Sequence, residues 1–186
     1  MDIVPEIARR RAYRSISSEA LDPGAVARML EAATLAPSCY NNQPWRFMVV
    51  SSPEALAAVR PHLSEGNTWA TVAPLLVLVC TKPSLDCRLE EGRDYALFDA
   101  GLATMNLILQ AEREGIIAHP IAGFNPKKAK AACGVPADFV LITVVVCAKK
   151  GENKLLAEWQ QEREKGERQR KPREAVVFAD RWNGEA

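Results

Sequence analysis

The chain has 186 residues, 48% hydrophobic and 25% charged, the balance of a globular protein, which excludes a disordered or fibrous chain. Its 24 lysines and arginines against 23 acidic residues leave a net charge of +1, too little for generic polyanion binding, so nucleic acid is not an expected partner. Five cysteines without a CxxC spacing point to a reducing cytoplasm, and charges fill the N-terminal stretch where a signal peptide has its apolar run. The apolar runs 74–80 and 140–148 are too short to span a bilayer, so no membrane association is expected.

Ile3, Ile7 and Ala8 fall at helical spacing and predict a short first helix ending in Arg9-Arg10-Arg11, where cations suit the helix dipole. If that helix continued, Arg10 and Arg14 would lie one turn apart. Asp22 as cap, Pro23 in the first turn, and the apolar face Val26, Met29, Leu30 and Ala33 predict a second helix that Pro37 stops. A strand is expected over 46–50, then a helix opened by Ser52-Pro53-Glu54 that buries Leu56 and Val59.

The run 74–80 reads as a buried strand. The longest helix follows, about five turns at ~3.6 residues each, with Tyr95, Phe98, Leu102, Met105 and Leu109 as its core face and Gly115 at its end. A short strand over 116–121, a short helix over 126–133 ended by Gly134, and a buried strand over 140–148 complete the pattern. Taken alone, this alternation of strands and helices points to a parallel sheet. From Gln160 to Glu174 there is no residue of the hydrophobic class, so the segment cannot enter a core of its own chain. It is either a solvated helix or tail, or an arm that docks its apolar end, Val176 to Phe178, on a partner subunit.

Two histidines, His62 and His119, give little material for a hydrolase triad or a multi-His metal site, and no metal is expected. Neither HExxH, GxSxG, GxGxxG nor a P-loop occurs, so an enzyme built on this chain needs an organic cofactor for the hard step. Two basic clusters, Arg9 to Arg14 and Arg168 to Arg173, are candidate phosphate sites, although a solvated helix end explains such runs equally. The segment Pro37-Ser38-Cys39-Tyr40-Asn41-Asn42-Gln43-Pro44-Trp45 is a plain turn or a stiff loop whose amides read the edge of a planar heterocycle. The turn His119 to Phe124 is small enough for a backbone N–H to approach a ring closely. Cys39 reads as a small space-filling residue, and Cys80 and Cys147 as packing residues inside strands.

Four elements occur together, in one order, over almost the whole chain: Arg10-Arg11-Ala12-Tyr13-Arg14, the stretch from Ala32-Ala33 to Trp45, Pro120-Ile121-Ala122-Gly123-Phe124, and Arg168-Gln169-Arg170-Lys171-Pro172. In this combination the sequence closely resembles the FMN-dependent nitroreductase family. The resemblance implies an α+β fold with a mixed, mainly antiparallel sheet flanked by helices, in an intertwined homodimer with FMN at the subunit interface. The chain would then be a single domain, with 152–186 as a C-terminal arm embracing the partner. Carried over by position, Arg10, Arg11, Arg168 and Arg170 would hold the FMN phosphate and Arg14 the polar edge of the flavin. Pro37, Ser38, Cys39 and Asn41 would arrive from the other subunit, Gln43 would support that loop, and Asn67 would meet the ring. Pro120, Ile121, Ala122 and Gly123 would form the segment covering the flavin, with a backbone N–H facing N5.

Ala12 stands where the family often has a hydroxyl residue, and Ala122 where some members carry an acidic one. The implied activity is hydride transfer from NADH or NADPH to FMN, then to an electron-poor small molecule such as a nitroaromatic, quinone or activated alkene. No catalytic side chain is required. The alternatives are a specialised flavoenzyme, for reductive dehalogenation or flavin breakdown with 84–92 as a lid, and a non-catalytic flavin-binding protein.

Overall fold

The computed structural model describes residues 2–152, 154–182 and 184. The chain divides after Leu156 into two compact units. In the first unit, strands β1 (Arg46–Val50), β2 (Leu75–Thr81), β3 (Ile117–Ile121) and β4 (Val140–Ala148) form a sheet in the order β1-β2-β4-β3. Each of its pairings is antiparallel, which corrects the parallel sheet suggested by the alternation of elements. Among the described residues it is antiparallel throughout, where the resemblance implied a mixed one. The physical reason lies in the connections. Val50 at the end of β1 pairs with Leu76 at the start of β2, so the excursion 51–74 leaves and re-enters at one end of the sheet. Helices interposed between strands do not by themselves make a crossover.

The helices form where their caps predict. In α2 (Pro23–Thr34), Asp22 accepts from Ala25 N at 2.9 Å and Pro23 sits in the first turn. Ser52 caps α3 (Pro53–Val59) and Asn125 caps α5 (Pro126–Ala132) through the same contact to the third helical residue. The first helix, α1 (Pro5–Arg9), ends before Arg10, so Arg10 and Arg14 are not one helical turn apart.

The side chains of β2 are buried at every position and alternate between two apolar layers. Leu76, Leu78 and Cys80 face Leu56, Val59 and Trp69, while Leu75, Val77 and Val79 face Met29, Ala33 and Trp45. The second layer is closed by α4 (Tyr95–Arg113) packed on α2. Here the expected face is corrected. The buried residues of α4 are mainly small: Ala96, Ala100, Ala103 and Ala111 with Asp99, Thr104, Leu107 and Ile108. Phe98 is 59% and Met105 37% exposed. Small residues let α4 approach α2 and the sheet closely, and the bulky stripe is left on the outer side. Arg28, midway along α2, forks onto both carboxylate oxygens of Glu114 at the C-terminal end of α4, at 2.8 and 2.7 Å, and ties the two helices together.

Cys39 and Cys87 are joined in a disulfide across 48 residues, which corrects both the free-thiol reading of the cysteines and the space-filling role given to Cys39. Cys80 and Cys147 are buried packing residues, and burial pushes their thiols up to about 11 and about 12. No helix among the described residues is long and apolar enough to cross a membrane.

The second unit contains α6 (Glu158–Lys165), whose N-terminus is closed by Gln160 Oε1 accepting from Ala157 N at 3.0 Å. Farther on, the rings of Phe178 and Trp182 meet with centroids 4.4 Å apart. Most of 160–174 is exposed, as a stretch without hydrophobic side chains must be.

Candidate functional site

On the sheet face covered by Trp69, four segments are locked together. Trp69 is fully buried, and its indole N–H donates to Asn67 Oδ1 at 3.2 Å. The Asn67 amide donates in turn to the Gly123 carbonyl at 2.9 Å, an oxygen that also accepts from Ser64 N at 2.9 Å. A Cβ at Gly123 would lie 2.5 Å from Asn67 Nδ2, so only glycine lets these two chains approach so closely. The Trp69 ring lies 4.8 Å from the buried His119 ring, and the Arg14 guanidinium is 5.9 Å from the Trp69 ring centroid. His119 Nδ1 bonds to the Tyr13 carbonyl at 3.0 Å, anchoring the segment after α1 beside the end of the sheet.

The segment bearing the arginines is held from the other side as well. Ser17 N donates to Lys149 O and Gly151 N to Ser15 O, both at 3.0 Å, and a Cβ on Gly151 would run into Ser17 at 2.7 Å. Tyr13 carries Arg11 and Lys150 over its ring, at 5.6 and 4.5 Å. Arg10, Arg11 and Arg14 are half-buried and Ala12 is exposed. Pro120 and Ala122 are exposed and Gly123 half-buried, whereas Ile121 belongs to the core and its carbonyl accepts from Thr143 Oγ1 at 2.9 Å.

The loop 37–44 lies against the opposite face of the sheet, between Ala36 and Trp45 of the second apolar layer. Tyr40, Asn41 and Gln43 have φ of 48°, 58° and 49°, a left-handed conformation that side chains disfavour. Polar contacts hold it. Gln43 N donates to Ser38 Oγ at 2.9 Å, the Gln43 amide donates to the Asn41 carbonyl at 3.3 Å, and Arg46 Nη1 donates to the Gln43 carbonyl at 3.0 Å. Thr81 Oγ1 reaches the Pro44 carbonyl at 2.9 Å. Cys39 N donates to Asp99 Oδ2 at 2.7 Å. Burial pushes the Asp99 carboxyl above the usual carboxylate range; the Cys39 N–H pulls it back and Asp86 pushes it further. Pro37 is exposed and Ser38 half-buried.

The first unit therefore sorts the residues singled out in the sequence into two groups. Arg14, Asn67 and the 120–123 turn come together around Trp69, while Pro37, Ser38, Cys39, Asn41 and Gln43 form a separate loop across the sheet. Arg168 and Arg170 belong to the second unit, where Arg170 Nη1 donates to the Gln169 carbonyl at 2.7 Å. Sequence reasoning missed Trp69, the hub of the first group. Its signal was a large aromatic side chain in the otherwise small and polar run 64–71. It also missed Asp99, a carboxylate in the first, otherwise apolar turns of the longest helix. Cys39, Cys87 and Asp86 are the set of metal-type donors found among the described residues, but the sulfurs are bonded to each other and leave no thiolate for a cation.

The model of the nitroreductase family matches residues 7–88 and 67–149. An uncharacterized 15.4 kDa protein of Mycolicibacterium smegmatis is 35% identical over 132 residues, 71% of this chain and 87% of that protein. A protein of Thermus thermophilus named NADH dehydrogenase is 24% identical over 78% of this chain and 85% of its own length. Among solved structures, an oxidoreductase described as containing FMN is 27% identical and superposes with a TM-score of 0.87, over 100% of this chain and 95% of that one.

Proposed function

Because the chain belongs to the nitroreductase family, we propose that it is an FMN-dependent oxidoreductase that takes reducing equivalents from NADH or NADPH and delivers them to an electron-poor small molecule, a nitroaromatic, quinone or activated alkene. The observation that carries this reading is the division of the candidate residues between the two faces of one sheet. A turn with close backbone and a guanidinium lies on one face, and a stiff amide loop on the other. Such halves serve one planar ligand when two copies of the chain meet.

An assembly of that kind needs an apolar surface, and exposed apolar side chains on α4, just before α1 and just after α2 supply one. Ile3, Val4, Leu35, Leu97 and Phe98 are each at least 47% exposed in the single chain. We take the active form to be a homodimer, with the second unit as the arm that grips the partner.

The donor set fits FMN. A phosphate dianion suits the guanidiniums of Arg10 and Arg11, and equally those of Arg168 and Arg170 in the second unit. Arg14 would face the pyrimidine edge and stabilise negative charge there, Asn41 and Asn67 would donate or accept at the ring edge, and Gln43 would keep the loop in shape. Pro120, Ala122 and Gly123 would lie over the ring, where the Asn67 and Ser64 side chains crowd any side chain at 123. When bound, FMN supplies a two-electron carrier between nicotinamide and acceptor. The chain's own contribution is to bind, orient and hold fixed charge near the carrier, and no side chain is assigned proton transfer because water can protonate the product.

A dehalogenating or flavin-breaking enzyme would need a substrate lid. The segment 84–92, the candidate for one, is bonded through Cys87 to the 37–44 loop, which favours the general reductase.

The test is an absorption spectrum of the purified full chain, with FMN added, before and after anaerobic NADH and NADPH. Flavin bands that bleach support the proposal and identify the donor; bands that persist identify a flavin-binding protein without reductase activity. No bound flavin at all overturns it. The double variant Arg10→Ala, Arg170→Ala should lose FMN while remaining folded.

A further inference from the structure

The Cys39–Cys87 bond sits among groups that chemistry can use. Asp86 Oδ1 accepts from Cys87 N at 2.8 Å and from the Asn42 amide at 3.1 Å, and a carboxylate oxygen of Asp86 and the two sulfurs lie within 4.8 Å of one another. Asp86 Oδ2 is buried and has no hydrogen-bond donor among the described residues. Asp99 is 1% exposed and accepts from Cys39 N. Cys39 and Cys87 are both half-buried, so the bond between them is not sealed in the core.

We propose that Cys39 and Cys87 form a thiol–disulfide exchange site whose substrate is a dithiol, and that reduction there loosens the 37–44 loop and its hold on FMN. The last clause rests on the reading that this loop contacts FMN. In the exchange, a thiolate of the dithiol attacks Cys87 Sγ and the bond between the two cysteines breaks. Cys39 leaves with the electron pair and is protonated from solvent. The second thiol of the reductant loses its proton to solvent and attacks its own partner sulfur in the mixed disulfide. Cys87 is released as a thiolate and protonated from solvent. The dithiol is oxidised to a disulfide, and both cysteines end as thiols, a transfer of two electrons.

The consequence for the loop follows from its backbone. Three residues without glycine's freedom are held at positive φ between Tyr40 and Gln43. The cross-link fixes Cys39 at the start of that run. Cutting it leaves the Asp99 contact and the Ser38 hydroxyl to resist relaxation to ordinary backbone geometry.

The experiment uses the full chain purified without reductant, with dithiothreitol as the dithiol. Thiols are counted by alkylation and intact mass after denaturation. Three are expected, Cys80, Cys133 and Cys147, and five after native treatment with dithiothreitol. FMN should bind about tenfold more weakly to the reduced protein, the equivalent of one relaxed left-handed residue, and Cys87→Ser should match the reduced form.

Five thiols in the untreated protein, or equal FMN affinity in both forms, would each overturn the proposal. If neither form binds FMN, the functional reading fails separately. Limited proteolysis within 37–44 then decides the exchange site, with faster cutting after reduction supporting it and equal cutting ending it.

Discussion

The turn at 120–125 and the loop at 37–44 both present small and polar groups at an end of the sheet, yet they are fixed by different physics. The turn inherits its shape from the β3–β4 ladder and a buried aromatic, with Trp69, Asn67 and Gly123 interlocked so tightly that a single methyl group does not fit. The loop has no ladder partner. It spends three residues at positive φ and is kept there by a disulfide, a buried carboxylate and a serine hydroxyl. Packing holds the first, and covalent and polar contacts hold the second.

The strongest way to break this contrast is Trp69→Ala, which removes a fully buried indole and the donor that fixes Asn67. It should cost about 3–5 kcal/mol in chemical denaturation. A loss below about 1 kcal/mol would show that the turn stands without its aromatic hub. Gly123→Ala should cost about 1–3 kcal/mol, because the new methyl group forces the Asn67 amide off the carbonyl it serves. If the melting temperature instead stays level, the close approach is not a constraint.

On the loop side, Asp99→Asn tests the buried carboxyl. The folded pKa of Asp99 is raised, so the stability its protonated form contributes is complete below the ordinary carboxylate pKa of about 3.9 and is lost as pH rises through the folded value. The asparagine variant keeps an acceptor for Cys39 N but does not ionise, so it should gain on the parent as pH increases. Parallel melting curves for both proteins from roughly pH 4 to pH 8 would remove Asp99 as the titrating group. The smallest effect is expected from Ser38→Ala, which deletes the acceptor for Gln43 N at an exposed site. About 1 kcal/mol, or roughly 2–4 °C of melting temperature, is expected, and a shift in the turn variants but not here would sharpen the difference between the two regions.

Much of this frame is legible in the residues themselves. Caps at Asp22, Ser52 and Asn125 are local chemistry, since each side chain needs only the amide three residues on. Strands 46–50 and 140–148 coincide with β1 and β4 because apolar runs between turn-formers have few other ways to be buried. The face of α4 was not legible. Its sequence carries a bulky apolar stripe and a small-residue stripe side by side, and periodicity counts only the first. Which stripe turns inward depends on how near α2 and the sheet can come.

The candidate site divides in the same way. Its residue types, arginines, amides and a small turn, stand out in the chain, and their order carries the family resemblance. Trp69 escaped notice because its role as hub exists only once 13–14, 67–69 and 119–123 meet. The sequence alone determined the element boundaries, the caps and the kind of cofactor chemistry to look for, all set by interactions within a few residues or by residue type. Only the tertiary structure decided the antiparallel register, the inward face of α4 and the pairing of Cys39 with Cys87. Each of these depends on which distant segments come within contact distance, and a separation of 48 residues carries no local trace of that choice.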